Sequence, residues 1–182
     1  LPIILAALLC GGAYAQTEPL SLDACLRLAQ ENPTRQIVFV GVGFETTTPL
    51  VAMAIKRARA MGLTNFTVYG AHKNMPGALE VIINDPALKL DALILPGHVS
   101  TIIGAEPYRF LAEKYGIPGV ITGFEPVDVL QGIAMIMRQL HEGRAEIEIA
   151  YARGVMPEGN PVALAAIDEV FETCSATWRG LG

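Results

Sequence analysis

Short apolar runs alternate along this chain with stretches whose apolar positions recur at helical spacing. QIVFVGV (36–42), FTVYG (66–70), ALILP (92–96) and GVIT (119–122) are nearly continuous and rich in β-branched residues. Such runs predict strands covered on both faces, as in a parallel sheet. Between them, Val51, Ala54, Ile55, Ala58 and Met61 share one helical face after Pro49, with Lys56, Arg57 and Arg59 outside it and Gly62 at the end. Leu79, Ile82 and Ile83 mark a shorter helix before Asp85-Pro86. Phe110, Leu111 and Tyr115 mark a third, with Pro107 suited to its first turn and Gly116 at its end. Val127, Leu130, Ala134, Met137 and Leu140 mark a fourth that stops at Gly143. EIEIAY (146–151) alternates strictly, with Ile147, Ile149 and Tyr151 opposite Glu146 and Glu148, which predicts a half-exposed edge strand.

This order predicts an α/β fold: an open, mostly parallel sheet with flanking helices over residues 35–151. PEGNP (157–161) reads as a loop, residues 162–173 as helical, and 152–182 as a return segment of a truncated second domain. Residues 1–15 have a different character. LPIILAALLC followed by Ala13-Tyr14-Ala15 reads as a secretory signal without its charged start. In residues 16–34, Ser21 can cap a short amphipathic helix carrying Asp23 in its first turn and Leu22, Leu26 and Ala29 on one face, ended by Asn32-Pro33. This piece reads as foreign to the body, with a boundary near residues 33–35.

Composition narrows the function classes. Of 182 residues, 52% are hydrophobic and 17% charged, which argues against disorder. A net charge of -5 argues against nonspecific nucleic-acid binding, and no apolar run reaches membrane-spanning length. Cys10, Cys25 and Cys174 form no CxxC pair or other metal-ligand spacing, so they read as isolated thiols.

Candidate chemistry gathers where loops leave the carboxyl ends of the strands, the edge at which parallel sheets bind ligands. The loops are GFETTTP, GAHKNMP, PGHVSTIIG and TGFEPVD. They carry Glu45, Thr46, Thr47, Thr48, His72, Lys73, His98, Ser100, Glu125 and Asp128. Gly43 and Gly123 let the backbone turn sharply off a strand. Thr46, Thr47 and Thr48 supply hydroxyls and a cap for the helix at Pro49. Glu45 and Glu125, with His98 between them in chain order, can transfer protons, hold a metal with open positions, or orient a partner's cysteine. Plainer roles stay open: the glutamates as helix caps, His98 as a backbone hydrogen-bonding group, His72-Lys73 as a solvated loop. GVGFETTTP lacks the Lys of a phosphate-binding loop and the third Gly of a dinucleotide fingerprint.

GFETTTP, PGHVSTIIG, GFEPVDVL and the closing WRGLG, in this order from about Arg35 to Gly182, resemble the hydrogenase maturation factor HypD family. The resemblance implies an assembly scaffold rather than a conventional enzyme. It would act in the cytoplasm with a HypC-like chaperone and a HypE-like protein to build the Fe(CN)2CO centre of [NiFe] hydrogenase. It implies catalytic roles for His98 first, then Glu45 and Glu125, with Thr46, Thr47, Thr48, His72, Lys73, Ser100 and Asp128 lining the assembly cleft. The family's Cys-Gly-Thr-His-Glu and Gly-Pro-Gly-Cys-Pro-Val-Cys motifs are absent from this sequence, as is its cysteine-rich [4Fe–4S] region. Iron and a cluster are therefore expected of the intact family member and no cofactor of this central piece. Residues 1–33 are similar to a signal peptide followed by the start of a TolC-like outer-membrane efflux protein. Joined to a cytoplasmic scaffold, that front end suggests a chimera. The alternative reading is an exported α/β module that binds a small ligand at the same loop edge.

Overall fold

A computed structural model describes residues 3–6, as backbone, and 21–180. The remainder of the signal-like stretch, Cys10 included, lies outside the described residues. The fold is α/β, with parallel strands and flanking helices as the alternation of apolar runs requires. Its strands, however, form two three-stranded sheets rather than one.

In the first sheet, β1 (Ile3–Ala6), β2 (Ile37–Gly43) and β3 (Phe66–His72) lie in that order, all parallel. In the second, β4 (Leu93–Pro96), β5 (Gly119–Thr122) and β6 (Ile147–Ile149) do the same. Burial differs between the central and the flanking strands. All four residues of the central strand β5 are buried. The other central strand, β2, buries Ile37, Phe39 and Gly41 on one face. The flanking strands are covered less: β3 exposes Thr67 and Tyr69, β4 exposes Ile94, and β6 is half-buried throughout. Only β5 meets the expectation of full cover on both sides, and the two central strands each lead into one of the two Gly-Phe-Glu turns.

The helices are α1 (Leu22–Glu31), α2 (Thr48–Ala60), α3 (Met75–Ile83), α4 (Gly97–Ile103), α5 (Arg109–Tyr115), α6 (Pro126–Glu142) and α7 (Pro161–Val170). Helix α4 occupies most of the stretch expected to be a loop. The chain divides into two compact units, one comprising residues up to Lys73 with Ala166–Glu172, the other Asn74–Ala165 with the residues from Thr173 onward. That partition differs from one with limits at 35 and 151.

The first unit has a core of Cys25, Phe39 and Val51, with Leu22, Ile55, Phe66, Val68 and Phe171 packed against it. Burial raises the Cys25 thiol above its ordinary pKa, so it behaves as a small apolar side chain. Helix α1 starts as the sequence predicts, with the Ser21 hydroxyl accepting from the Ala24 amide at 3.2 Å. Cys25, Leu26 and Ala29 are buried. Its carboxyl end is held by the buried Asn65, whose side-chain nitrogen lies 2.8, 3.0 and 2.9 Å from the carbonyls of Ala29, Asn32 and Arg35. This helix is therefore part of the α/β body rather than a foreign piece, because it shares the body's core and its hydrogen bonds.

In the second unit, Leu95, Val99, Tyr108, Leu111, Val120 and Ile121 are buried. Helix α6 turns a different face inward from the one its apolar spacing suggested. It buries Asp128, Gly132, Ile136 and Gln139, and leaves Val127, Leu130, Met137 and Leu140 exposed. Gln139 is fully buried because its side-chain oxygen accepts from the Glu146 amide at 2.8 Å, tying α6 to the approach of β6. Gly132 is needed because a Cβ there would run into the Thr122 methyl group of β5.

Candidate functional site

The two Gly-Phe-Glu turns share a sequence and differ in geometry. After β2, Gly43 has φ 152°, a value that favours glycine. The Phe44 carbonyl then accepts from the amides of Thr47 and Thr48 at 3.1 and 3.3 Å and from their hydroxyls at 3.2 and 2.9 Å. The threonines thus fold the turn back on itself, and neither hydroxyl makes the expected cap: Thr47 holds the N-cap position of α2 without a side-chain cap bond. Glu45 is buried in this turn, and Thr46 is half-buried.

At the neighbouring strand end, His72 pairs in register with Gly43, and the Lys73 amide donates to the Gly43 carbonyl at 2.9 Å. The His72 ring packs edge-on against Phe171, with ring centres 5.6 Å apart, and lies over Gly41. Both its nitrogens are shut off from solvent, and among the described residues neither finds a hydrogen-bond partner. Burial pulls its pKa below the ordinary histidine value and favours the neutral ring. His72 is not a residue of a solvated loop.

The second unit presents a more open edge. His98 is the second residue of α4, directly after β4, and is exposed. Its ring packs at a tilt on Phe124, with centres 4.5 Å apart, and Phe124 is itself 67% exposed. Glu125 follows at the N-cap position of α6, makes no cap hydrogen bond, and is 76% exposed. The capping alternative therefore fails for Glu125. Ser100, expected to line the cleft, is fully buried, and its hydroxyl donates to the Pro96 carbonyl at 2.8 Å. Asp128 is also buried, in the first turn of α6.

Sequence reading missed the residue that holds Asp128. Arg153 donates from both terminal nitrogens to the two Asp128 oxygens, each at 2.6 Å, and lies 3.3 Å from Glu125 Oε2. Its guanidinium also stacks over the Tyr151 ring, 4.7 Å from the centre. The Arg153 hydrogen bonds draw the Asp128 pKa below the usual carboxylate range. No motif pointed to Arg153, because its partners precede it by 25 and 28 positions.

His98 and Phe124 thus come together at the ends of the paired strands β4 and β5, and Glu125 follows Phe124 in the same turn. Glu45, the threonines and His72 belong to the first unit, where the carboxylate and the imidazole are both buried. The imidazole and the carboxylate at the β4–β5 edge are both open to solvent, of the residue types that serve general acid–base chemistry. Among the described residues no group of three or more His, Cys, Asp and Glu side chains is arranged to hold a metal ion. Among the described residues the only thiols are those of Cys25, which is buried, and Cys174, which is exposed, too few to supply the four thiolates of an iron–sulfur cluster.

Comparison with known proteins gives the chain a family. The family described as "HypD: Hydrogenase formation hypA family" matches residues 18–182, a span that includes α1. Hydrogenase maturation factor HypD of Rhodobacter capsulatus is 52% identical over 162 residues, covering 88% of this chain and 43% of that protein. Hydrogenase expression/formation protein HupD of Azotobacter chroococcum mcd 1 is 48% identical over 163 residues, covering 86% and 43%. Hydrogenase maturation factor HypD of Rhizobium leguminosarum bv. viciae is 46% identical over 169 residues, covering 89% and 44%. The chain spans less than half the length of these curated relatives. With a match over nearly its whole length, the chain belongs to the HypD family of hydrogenase-formation proteins.

Proposed function

We propose that this chain is the central part of a cytoplasmic scaffold that helps assemble the Fe(CN)2CO centre of [NiFe] hydrogenase, working with a HypC-like chaperone and a HypE-like protein. The observation that carries this reading is the family match across residues 18–182. The β4–β5 edge supports it by presenting His98 and Glu125 to solvent on rigid strand ends, where a partner's reacting group can reach them. His98 is the first choice for moving a proton or orienting the ligand donor, and Glu125 the second. The iron is cargo, and the thiolates that bind it would come from parts of the family's architecture outside this sequence or from a partner. No helix among the described residues is long and apolar enough to cross a membrane.

The test is retention of the purified 182-residue chain on immobilised HypC-like and HypE-like proteins from Rhodobacter capsulatus, beside full-length HypD of that organism. Retention by at least one partner, weakened by His98→Ala, is the expected result. If full-length HypD is retained while this chain binds neither partner, the docking role assigned to this part is wrong.

A further inference from the structure

The chemistry-bearing residues of the β4–β5 edge sit on turns that converge on one aromatic ring. A Cβ on Gly97, immediately before His98, would come within 3.0 Å of Tyr151 Cδ1. A Cβ on Gly123, immediately before Phe124, would come within 2.9 Å of Tyr151 Cδ2. The two turns therefore rest on opposite edges of the same ring, which the Tyr151 amide fixes to the end of β5 by donating to the Ile121 carbonyl at 3.1 Å. Arg153 stacks on that ring and grips Asp128 in the first turn of α6 with a two-pronged hydrogen bond. Asp128 in turn crowds Gly123 so closely that no side chain would fit there. Glu125, three residues before Asp128, meets the same guanidinium at a looser 3.3 Å.

We propose that Arg153 is a positioning residue. Anchored on Asp128 and stacked on Tyr151, it fixes the turn of Gly123, Phe124 and Glu125, so that the Phe124 ring is held on His98 and the Glu125 carboxylate stays open to solvent. The hydrogen bonds to Asp128 carry the anchoring, because they are short and paired and end on a buried carboxylate. The Glu125 contact is solvent-exposed and has little holding power of its own. A lysine at this position would supply the charge but cannot make the planar two-pronged contact or stack in the same way. The functional weight of this role rests on the reading of the His98 edge given above, but its test reads geometry alone.

The ring of Phe124 displaces the resonances of the His98 ring protons, which gives a direct reporter in the 182-residue chain. Phe124→Leu defines the spectrum without that ring. Arg153→Ala and Arg153→Lys are each expected to move the His98 ring-proton shifts toward the Phe124→Leu values, while the amides of Leu95 and Ile121 stay in place. Glu125→Gln is expected to keep the wild-type His98 shifts, because Asp128 still anchors Arg153. Should the alanine variant fail to fold, the lysine variant decides alone. Wild-type His98 shifts in the lysine variant, or their loss in Glu125→Gln, would overturn the proposal. Because maturation is not the readout, a failure here leaves the proposed function standing, and a failure of that function leaves the positioning role standing.

Discussion

Replacing Asn65 with alanine removes the clamp that joins α1 to the first sheet. Its side-chain nitrogen lies within 3.0 Å of three carbonyls, those of Ala29, Asn32 and Arg35, and the residue is 5% exposed. An amide nitrogen has two hydrogens, so the three contacts amount to about two full bonds. Each is worth about 1 kcal/mol net, and leaving the buried Ala29 carbonyl without a partner adds about 1–2 kcal/mol. The expected cost of Asn65→Ala is therefore about 3 kcal/mol. Asn65→Asp should cost more, since it points an acceptor at three acceptors. The Asn65 backbone carbonyl, which receives the Ile37 amide at 2.8 Å, is untouched by either change. Urea unfolding followed by circular dichroism gives the free energy; an unchanged slope would show that the effect lies in the native contacts. Hydrogen exchange then locates it, with α1 amides losing protection first. A loss below about 0.5 kcal/mol, the range of an ordinary surface change, would refute the clamp and the place of α1 in the body.

Other consequences follow from single contacts. Gly97→Ala would press a Cβ onto the Thr122 carbonyl and the Tyr151 ring, and should cost about 1–3 kcal/mol in the same unfolding assay. Ile136→Ala should cost about 2–4 kcal/mol, whereas Leu130→Ala should be nearly silent; the reverse order would mean that the buried face of α6 is misassigned. His72 has a folded-state pKa below its ordinary value, so the unfolded chain takes up its proton first. Its contribution is complete above the ordinary histidine range and is lost as pH falls through that range toward the folded value. His72→Gln should flatten the slope of stability between about pH 7.5 and 5.5, and an unchanged slope would contradict the buried neutral ring.

Much of the fold is legible because buried strands and amphipathic helices write themselves in hydrophobic spacing. GVIT became β5 at the predicted residues, and the ends of α5 and α6 fell at Gly116 and Gly143, both in left-handed conformation. Helix α4 was hidden because seven residues beginning with glycine, without a side-chain cap, look like a loop. The face of α6 was misread because periodicity shows that a stripe exists and not which way it points; the small Gly132 and the partnered Asp128 and Gln139 face inward instead. The division into two sheets was likewise invisible, since strand pairing depends on contacts distant in sequence. At the site, the residue types were readable from the strand-end loops. Their exposure was not: two identical tripeptides end with one glutamate buried and the other open to solvent.

The account turns on His98 at the β4–β5 edge. The most direct measurement grafts residues 18–182 of this chain, the span of the family match, into full-length Rhodobacter capsulatus HypD, in a host lacking its own HypD protein, with and without His98→Ala. Infrared spectra of the purified [NiFe] hydrogenase then report the cyanide and carbon monoxide ligands of its iron. The account predicts that the graft restores both ligand signatures and that His98→Ala abolishes them while the grafted protein accumulates normally. Full ligand signatures with His98→Ala would contradict the role assigned to this edge.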